Sequence, residues 1–184
     1  EIRDEETAEL SVHAALTGHI VLSTLHTNNA VGVIPRLADM GVQKFLIPSA
    51  VNVMVSQRLL PRLCPSCAKP EPLSEEVARL VEKELAAIRP EALAEFSVQK
   101  PYASYHAAGC EACHGKGVLG RLAIFEALSM TSELKELVSE GATEGKIIAE
   151  ARRQGMVGMR QDGILKALQG LISLEEVLRE TVEL

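Results

Sequence analysis

All four cysteines of this chain fall into two pairs of identical spacing, Cys64-Pro65-Ser66-Cys67 and Cys110-Glu111-Ala112-Cys113. No other feature restricts the fold so tightly. Two residues between the members of a pair let a tight turn aim both thiolates at one ion. Two such turns facing each other complete the tetrahedral four-sulfur shell that Zn²⁺ prefers. The 42 residues between Cys67 and Cys110 exceed the roughly 15–20 of a compact zinc ribbon, so the loop that the metal closes must itself carry structure.

Other uses of the pairs have to be weighed. Two disulfides would need an oxidising compartment, and the chain shows no apolar signal segment or other mark of a secreted scaffold. Redox use of one pair is a further option. Cys110 to His114 spells the C-x-x-C-H attachment motif of a c-type haem, against which the second intact pair argues. His106 or His114 could replace a thiolate, but with four cysteines available both read as flanking loop residues. Spacing and exclusivity favour structural zinc, with no open coordination position.

Composition narrows the partners. Of 184 residues, 47% are hydrophobic and only 3% aromatic, and 19 basic side chains face 25 acidic ones for a formal charge of −6. Such a chain can build one large or two small cores, and two are expected. Its acidic balance lacks the attraction to phosphate backbones that nucleic-acid binders use, so no direct nucleic-acid partner is expected. No apolar run approaches the ~18–20 residues of a membrane span. With zinc in place of disulfides, the cytoplasm fits best.

The chain opens on Glu1-Ile2-Arg3-Asp4-Glu5-Glu6-Thr7-Ala8 without a methionine and reads like a cut edge. Asp4 can cap a helix whose first turn carries Glu5 and Glu6, with Ala8, Val12, Ala15 and Leu16 as its apolar face and Gly18 as its end. Ile20 to Leu25 is expected to be a short buried strand, after which Thr27 or Asn28 caps a helix running through Met40 to Gly41. Helix, strand, helix points to an α/β fold.

Pro48 to Leu60 is ambiguous: Val51, Val53 and Val55 alternate as in a strand, while Pro48 and Ser49 look like a helix start. Gln57 to Leu63 reads as a connector. Inside the cysteine loop, Leu73 and Ser74 open a helix carrying Val77, Leu80, Val81, Leu85 and Ile88 until Pro90. Gly115, Gly117 and Gly120 mark a turn-rich exit before the apolar stretch Leu122 to Leu128. From Thr131 a run of short helices follows, the last opened by Ser173 and Glu176 as a capping box.

His26 follows the last residue of the expected strand, at the sheet edge where open α/β folds place ligand crevices. By spacing alone it reads as a capping or packing residue, since a histidine at a strand end often just bonds a neighbouring carbonyl. His13, within the first helix, and His19, in the turn after Gly18, read as helix-face and loop residues. The chain holds no G-x-x-x-x-G-K-[ST] phosphate loop: Gly141 to Lys146 has one residue too few between its glycines and is followed by Ile147. Nor does it hold a nucleophile elbow or an H-E-x-x-H motif.

Several linked motifs nevertheless occur in order. Glu1 to Ala8, Leu16-Thr17-Gly18-His19, Ser23-Thr24-Leu25-His26-Thr27-Asn28, Gln57-Arg58-Leu59, both cysteine pairs, Gly120-Arg121, Phe125-Glu126, Gln154-Gly155-Met156, Asp162-Gly163 and Ser173 to Val177 together resemble the secretion ATPases of the GspE/PilB family. These drive type II secretion and type IV pilus assembly. The resemblance covers essentially the whole chain.

It implies the C-terminal portion of a RecA-like P-loop ATPase: residues 1–61 from the ATPase core, 62–120 an inserted tetracysteine zinc subdomain, and 121–184 a C-terminal helical subdomain. The phosphate loop and aspartate box would lie upstream, and the chain by itself would be inactive. Glu1 matches the acidic residue ending the Walker B segment, where a carboxylate acts on the Mg²⁺ shell or the attacking water. His26 matches the histidine box, whose implied role is to sense or polarise the γ-phosphate, and Arg3 is the next functional candidate. ATP and Mg²⁺ are thus the implied cofactors of the full-length protein.

Cys64, Cys67, Cys110 and Cys113 match the tetracysteine module of assembly and secretion ATPases, which retraction ATPases lack. The resemblance also favours a helix over Pro48 to Ser56. It implies a cytoplasmic homo-hexamer, peripheral at the inner membrane, whose rigid-body shifts push on platform and assembly proteins. A non-catalytic, zinc-stabilised interaction module is the alternative.

Overall fold

The computed structural model describes residues 1–181 apart from 97 and 99. In chain order the elements are α1 (Glu5–Leu16), α2 (Val33–Asp39), α3 (Ile47–Ala50), β1 (Val53–Leu63), β2 (Ala68–Pro72), α4 (Glu75–Ala86), α5 (Pro90–Ala94), β3 (Ala103–Ala107), β4 (Val118–Ser129), α6 (Ser132–Ser139), α7 (Glu144–Gln154), α8 (Met159–Leu168) and α9 (Leu174–Glu180). β1 pairs with β4 and β2 with β3, in two separate two-stranded sheets. The α/β class expected from the sequence is the one observed.

The chain divides into two compact units, Glu1–Ser56 with Glu126–Met156, and Gln57–Phe125 with Val157–Leu184. In the first unit, α1 begins as its sequence requires. The Asp4 carboxylate accepts the Thr7 amide at 3.0 Å while the Asp4 amide donates back to the Thr7 hydroxyl, and Glu5 and Glu6 sit where the helix dipole favours negative charge. Ala8 and Val12 turn inward onto a core that includes Val31, Ile34, Leu37, Ile47, Leu134, Val138 and Ile147. The second unit has its own core, built from Leu60, Val81, Leu85, Ile124, Ile164, Leu165, Ile172 and Val177. There α8 and α9 approach closely because residue 163 is glycine: a Cβ at Gly163 would lie 2.6 Å from Val177 Cγ1.

Four expectations are corrected. Ile20 to Leu25 is not a buried strand, since Ile20 and Leu22 are each 93% exposed and the segment's one strand-like pairing is the parallel bridge of Leu25 with Ile2. A strand needs a neighbour to satisfy its backbone, and among the described residues this stretch has one only at its end. α2 starts at Val33 rather than at Thr27 or Asn28, because Asn29 Oδ1 accepts the Gly32 amide at 2.7 Å and holds residues 29–32 in a turn. Pro48 to Leu60 is both things in succession. α3 stops at Ala50, and the alternating valines then run as strand from Val53, so neither the helix to Ser56 nor the connector from Gln57 forms. Ser173 precedes α9 without a side-chain cap, its expected partner Glu176 being drawn instead to Arg179 at 2.6 Å.

Candidate functional site

The long spacer between the cysteine pairs folds so as to return on itself. β2 starts directly after Cys67 and β3 ends just before Cys110, and the two run antiparallel with Ala68 opposite Ala107 and Pro72 opposite Ala103. This ladder sets the two pairs side by side. Between the strands lie α4, capped by Ser74, whose hydroxyl accepts the Val77 amide, and α5, so the loop does carry structure of its own.

Each pair is a tight turn. The Cys67 and Ala68 amides both donate to the Cys64 carbonyl, and the Cys113 and Gly115 amides to that of Cys110. The turns interlock through glycine: the Cys64 amide donates to the Gly117 carbonyl at 2.9 Å. Gly117 has φ +71°, and a Cβ there would meet the Ala107 carbonyl oxygen at 2.3 Å, so no other residue fits.

The four Sγ atoms lie within 4.8 Å of one another. Cys64 to Cys110 is 3.8 Å, Cys67 to Cys113 3.9 Å and Cys110 to Cys113 3.8 Å. Metal–sulfur bonds of about 2.3 Å in a tetrahedron require sulfurs ~3.8 Å apart, so the cluster has the dimensions of a four-thiolate site. Cys64 and Cys113 are buried and Cys67 and Cys110 half-buried. Among the described residues the cluster contains these four cysteines, and neither His106, opposite Lys69 in the β2–β3 ladder, nor His114 belongs to it.

The Cys113 thiol is already prepared for ionisation. The Cys110 amide donates to its sulfur at 3.1 Å and the Gly117 amide at 3.2 Å, and these hydrogen bonds, that of Cys110 foremost, hold its pKa down to about 6. Cys67 is the opposite case: burial foremost pushes its thiol up to about 12. Without a cation the neutral thiol is thus the favoured form of Cys67, and a cation at the centre of the four sulfurs would favour its thiolate instead.

The first unit holds the other candidates. Ile2 donates to the Thr24 carbonyl at 2.8 Å and bridges to Leu25, which brings the two segments together in parallel. Glu1 and His26 are thereby neighbours, with His26 Nε2 2.8 Å from Glu1 Oε1. Both are open to solvent, the His26 side chain at 86% and that of Glu1 at 46%. Arg3 is exposed on the same segment, its amide donating to Thr7, and it is not drawn into the pair.

One buried acid of this unit enters the sequence analysis only within the Phe125-Glu126 motif of the resemblance and was not singled out by spacing or pattern. Glu126, buried in β4, accepts the Ala30 amide at 2.6 Å. Its signal in the sequence was an acid within the apolar stretch Leu122 to Leu128, overlooked because a lone charge in a strand usually faces water.

An α/β chain with a cluster of four cysteines and an exposed Glu–His pair at a strand-like edge defines a class that comparison with known proteins makes specific. The sequence model of the family described as "Type II/IV secretion system protein" matches residues 1–179, and the chain belongs to that family. It is 44% identical over 181 residues to the type IV pilus assembly ATPase PilB of Myxococcus xanthus, spanning 98% of this chain and 30% of that protein. To the type II secretion system ATPase E of Vibrio cholerae it is 41% identical over 183 residues, covering all of this chain and 34% of the relative. The chain thus spans about a third of the length of these relatives. In fold it is similar to the pilus retraction motor PilT with bound ADP, at a TM-score of 0.62 and 23% identity over all of this chain and 38% of that one. It is likewise similar to the Legionella pneumophila ATPase DotB, at 0.59 and 20% over 97% of this chain and 36% of that one.

Proposed function

We propose that the chain is the C-terminal portion of a RecA-like ATPase that powers type II secretion or type IV pilus assembly, and that its four cysteines hold a structural Zn²⁺. The observation that carries the motor reading is the Glu1–His26 pair. A carboxylate and an imidazole 2.8 Å apart and open to solvent, in a chain similar throughout to secretion and pilus ATPases, suit the Mg²⁺ and γ-phosphate of an ATP bound by the rest of the protein. In this reading Glu1 orients or deprotonates the attacking water, and His26 donates a hydrogen bond to the phosphoryl group as charge builds on its oxygens. Arg3, on the adjoining turn, supplies positive charge nearby.

Cys64, Cys67, Cys110 and Cys113 would hold the zinc as thiolates. Bound there, the metal fixes the fold of a long loop and adds no hydrolytic chemistry, because four protein sulfurs leave no position for water. The module then acts as a rigid lever or docking surface for platform and assembly proteins at the inner membrane. No helix of the described residues is long and apolar enough to cross a membrane, so membrane association in this reading runs through partners of a cytoplasmic homo-hexamer.

The test is ATP hydrolysis by the full-length protein with Mg²⁺. Glu1→Gln and His26→Ala should each lower kcat by about a hundredfold or more, with the circular dichroism unchanged. Full turnover in both variants would reject the assignment. One observation favours a second reading for the 184 residues taken alone. They contain no phosphate-loop sequence, so by themselves they should not hydrolyse ATP and should behave as a zinc-stabilised interaction module.

A further inference from the structure

We infer that Glu126 is a positioning residue for the loop that presents His26; the inference rests on the reading of His26 as a nucleotide-site residue. β4 alternates as a strand with one buried face, and its inward row reads Ile124, Glu126, Leu128, exposed by 0%, 2% and 0%. Pattern alone calls for an aliphatic side chain at the middle place. A carboxylate there is costly to bury and stabilises a fold less than a well-packed apolar residue would, so its presence calls for a specific partner.

One such partner is the backbone of a segment 96 residues away. Glu126 Oε1 accepts the Ala30 N–H at 2.6 Å, and Ala30 and Val31 are both fully buried, out of reach of water that could otherwise satisfy that amide. Two further side-chain ties lie within the loop: the Thr27 hydroxyl donates to the Asn29 carbonyl at 3.0 Å, and Asn29 Oδ1 accepts the Gly32 amide at 2.7 Å. The loop is therefore pinned at two points. Its start is held where Leu25 bridges Ile2 and His26 meets Glu1, and its end by Glu126. Between these pins three residues, 27–29, separate His26 from the buried Ala30, so the place of the imidazole follows from where Ala30 is anchored. A displacement of about 1 Å in such a group can cost a hundredfold in rate.

Two readouts test this. Amide hydrogen exchange of residues 27–32 reports the anchor itself, and kcat and KM for MgATP in the full-length protein report its consequence. Glu126→Leu should accelerate exchange in the loop and lower kcat about tenfold or more with KM changed less than about twofold. Glu126→Gln, whose amide oxygen still accepts, should keep both near the unsubstituted values. Combined with His26→Ala, Glu126→Leu should cause no further loss, because the effect runs through His26. Should the Leu variant not fold, Glu126→Asp, which withdraws the acceptor by one methylene, replaces it with the same expectations. Unchanged loop exchange, or full additivity with His26→Ala, would overturn the inference. Loop exchange that responds while His26→Ala leaves turnover intact would instead uphold the positioning and reject the nucleotide-site reading.

Discussion

At the scale of single residues, the contacts that decide most are those with no slack. Gly163 allows α8 to lie against Val177, and a Cβ added there falls at 2.6 Å from Val177 Cγ1, inside any tolerable contact. Gly163→Ala should therefore destabilise the second unit by about 1–3 kcal/mol, read as a lowered midpoint in denaturant titration; an unchanged midpoint would show that the helices separate without cost. Cys113→Ser should be more damaging, since it removes the one sulfur that two backbone amides favour as thiolate. Metal content should fall well below that of the unsubstituted chain.

The cysteine cluster was legible in the sequence because ligand spacing is a local property. Glu126 was not, because its partner amide lies 96 residues away, and no local pattern says which backbone group a buried acid will meet. Asp162 is a similar case. It stood out only within a resemblance motif, whereas in the fold it accepts the Phe125 amide at 2.8 Å while Lys166, one helical turn on, donates to the Ala123 carbonyl at 2.9 Å. Together they satisfy backbone groups of β4.

At the scale of elements, local chemistry marked helix ends, and some helix beginnings, better than strand pairings. Asp4 and Ser74 cap their helices as their positions require, because an N-cap needs only the next three residues. The strand readings fared worse, since a strand is defined by a partner that may lie far off in sequence: β1 is completed by β4, and Ile20 to Leu22 finds no such partner among the described residues.

α7 carries an element-scale prediction. Glu150 is buried at 7% exposure and receives Arg153 at 2.6 and 2.8 Å, with Gln154 donating as well. The Arg153 hydrogen bonds, ahead of the others, hold its carboxyl below the ordinary value of 4.5. A carboxyl with a depressed folded-state pKa contributes stability that is fully present above that ordinary value and is lost as the pH falls through the folded one. Thermal melts of the unsubstituted chain should therefore drop on acidification below 4.5. In Glu150→Gln, melting should start lower and lose less over the same interval. Parallel losses in the two chains would show that Glu150 does not contribute to the acid sensitivity.

At the scale of the whole molecule, the chain is two compact units with separate cores, and the cysteine cluster lies wholly in the second. Structural zinc contributes about 10–16 kcal/mol of apparent binding free energy in small zinc modules, as much as the total stability of a typical domain at about 5–15 kcal/mol. On the proposed zinc site, withdrawing the metal should therefore unfold much of residues 57–125 rather than loosen a loop. Hydrogen exchange after chelation should show protection lost across β2, α4 and β3, with α1 and α6 of the first unit retaining theirs.

The measurement that tests the central claim most directly is elemental analysis of the purified chain with X-ray absorption at the metal edge, before and after chelation. The account predicts one zinc per chain surrounded by four sulfurs at about 2.3 Å, and loss of folded signal when the metal is withdrawn. A metal-free chain that folds normally would contradict it, as would a zinc shell containing a water oxygen.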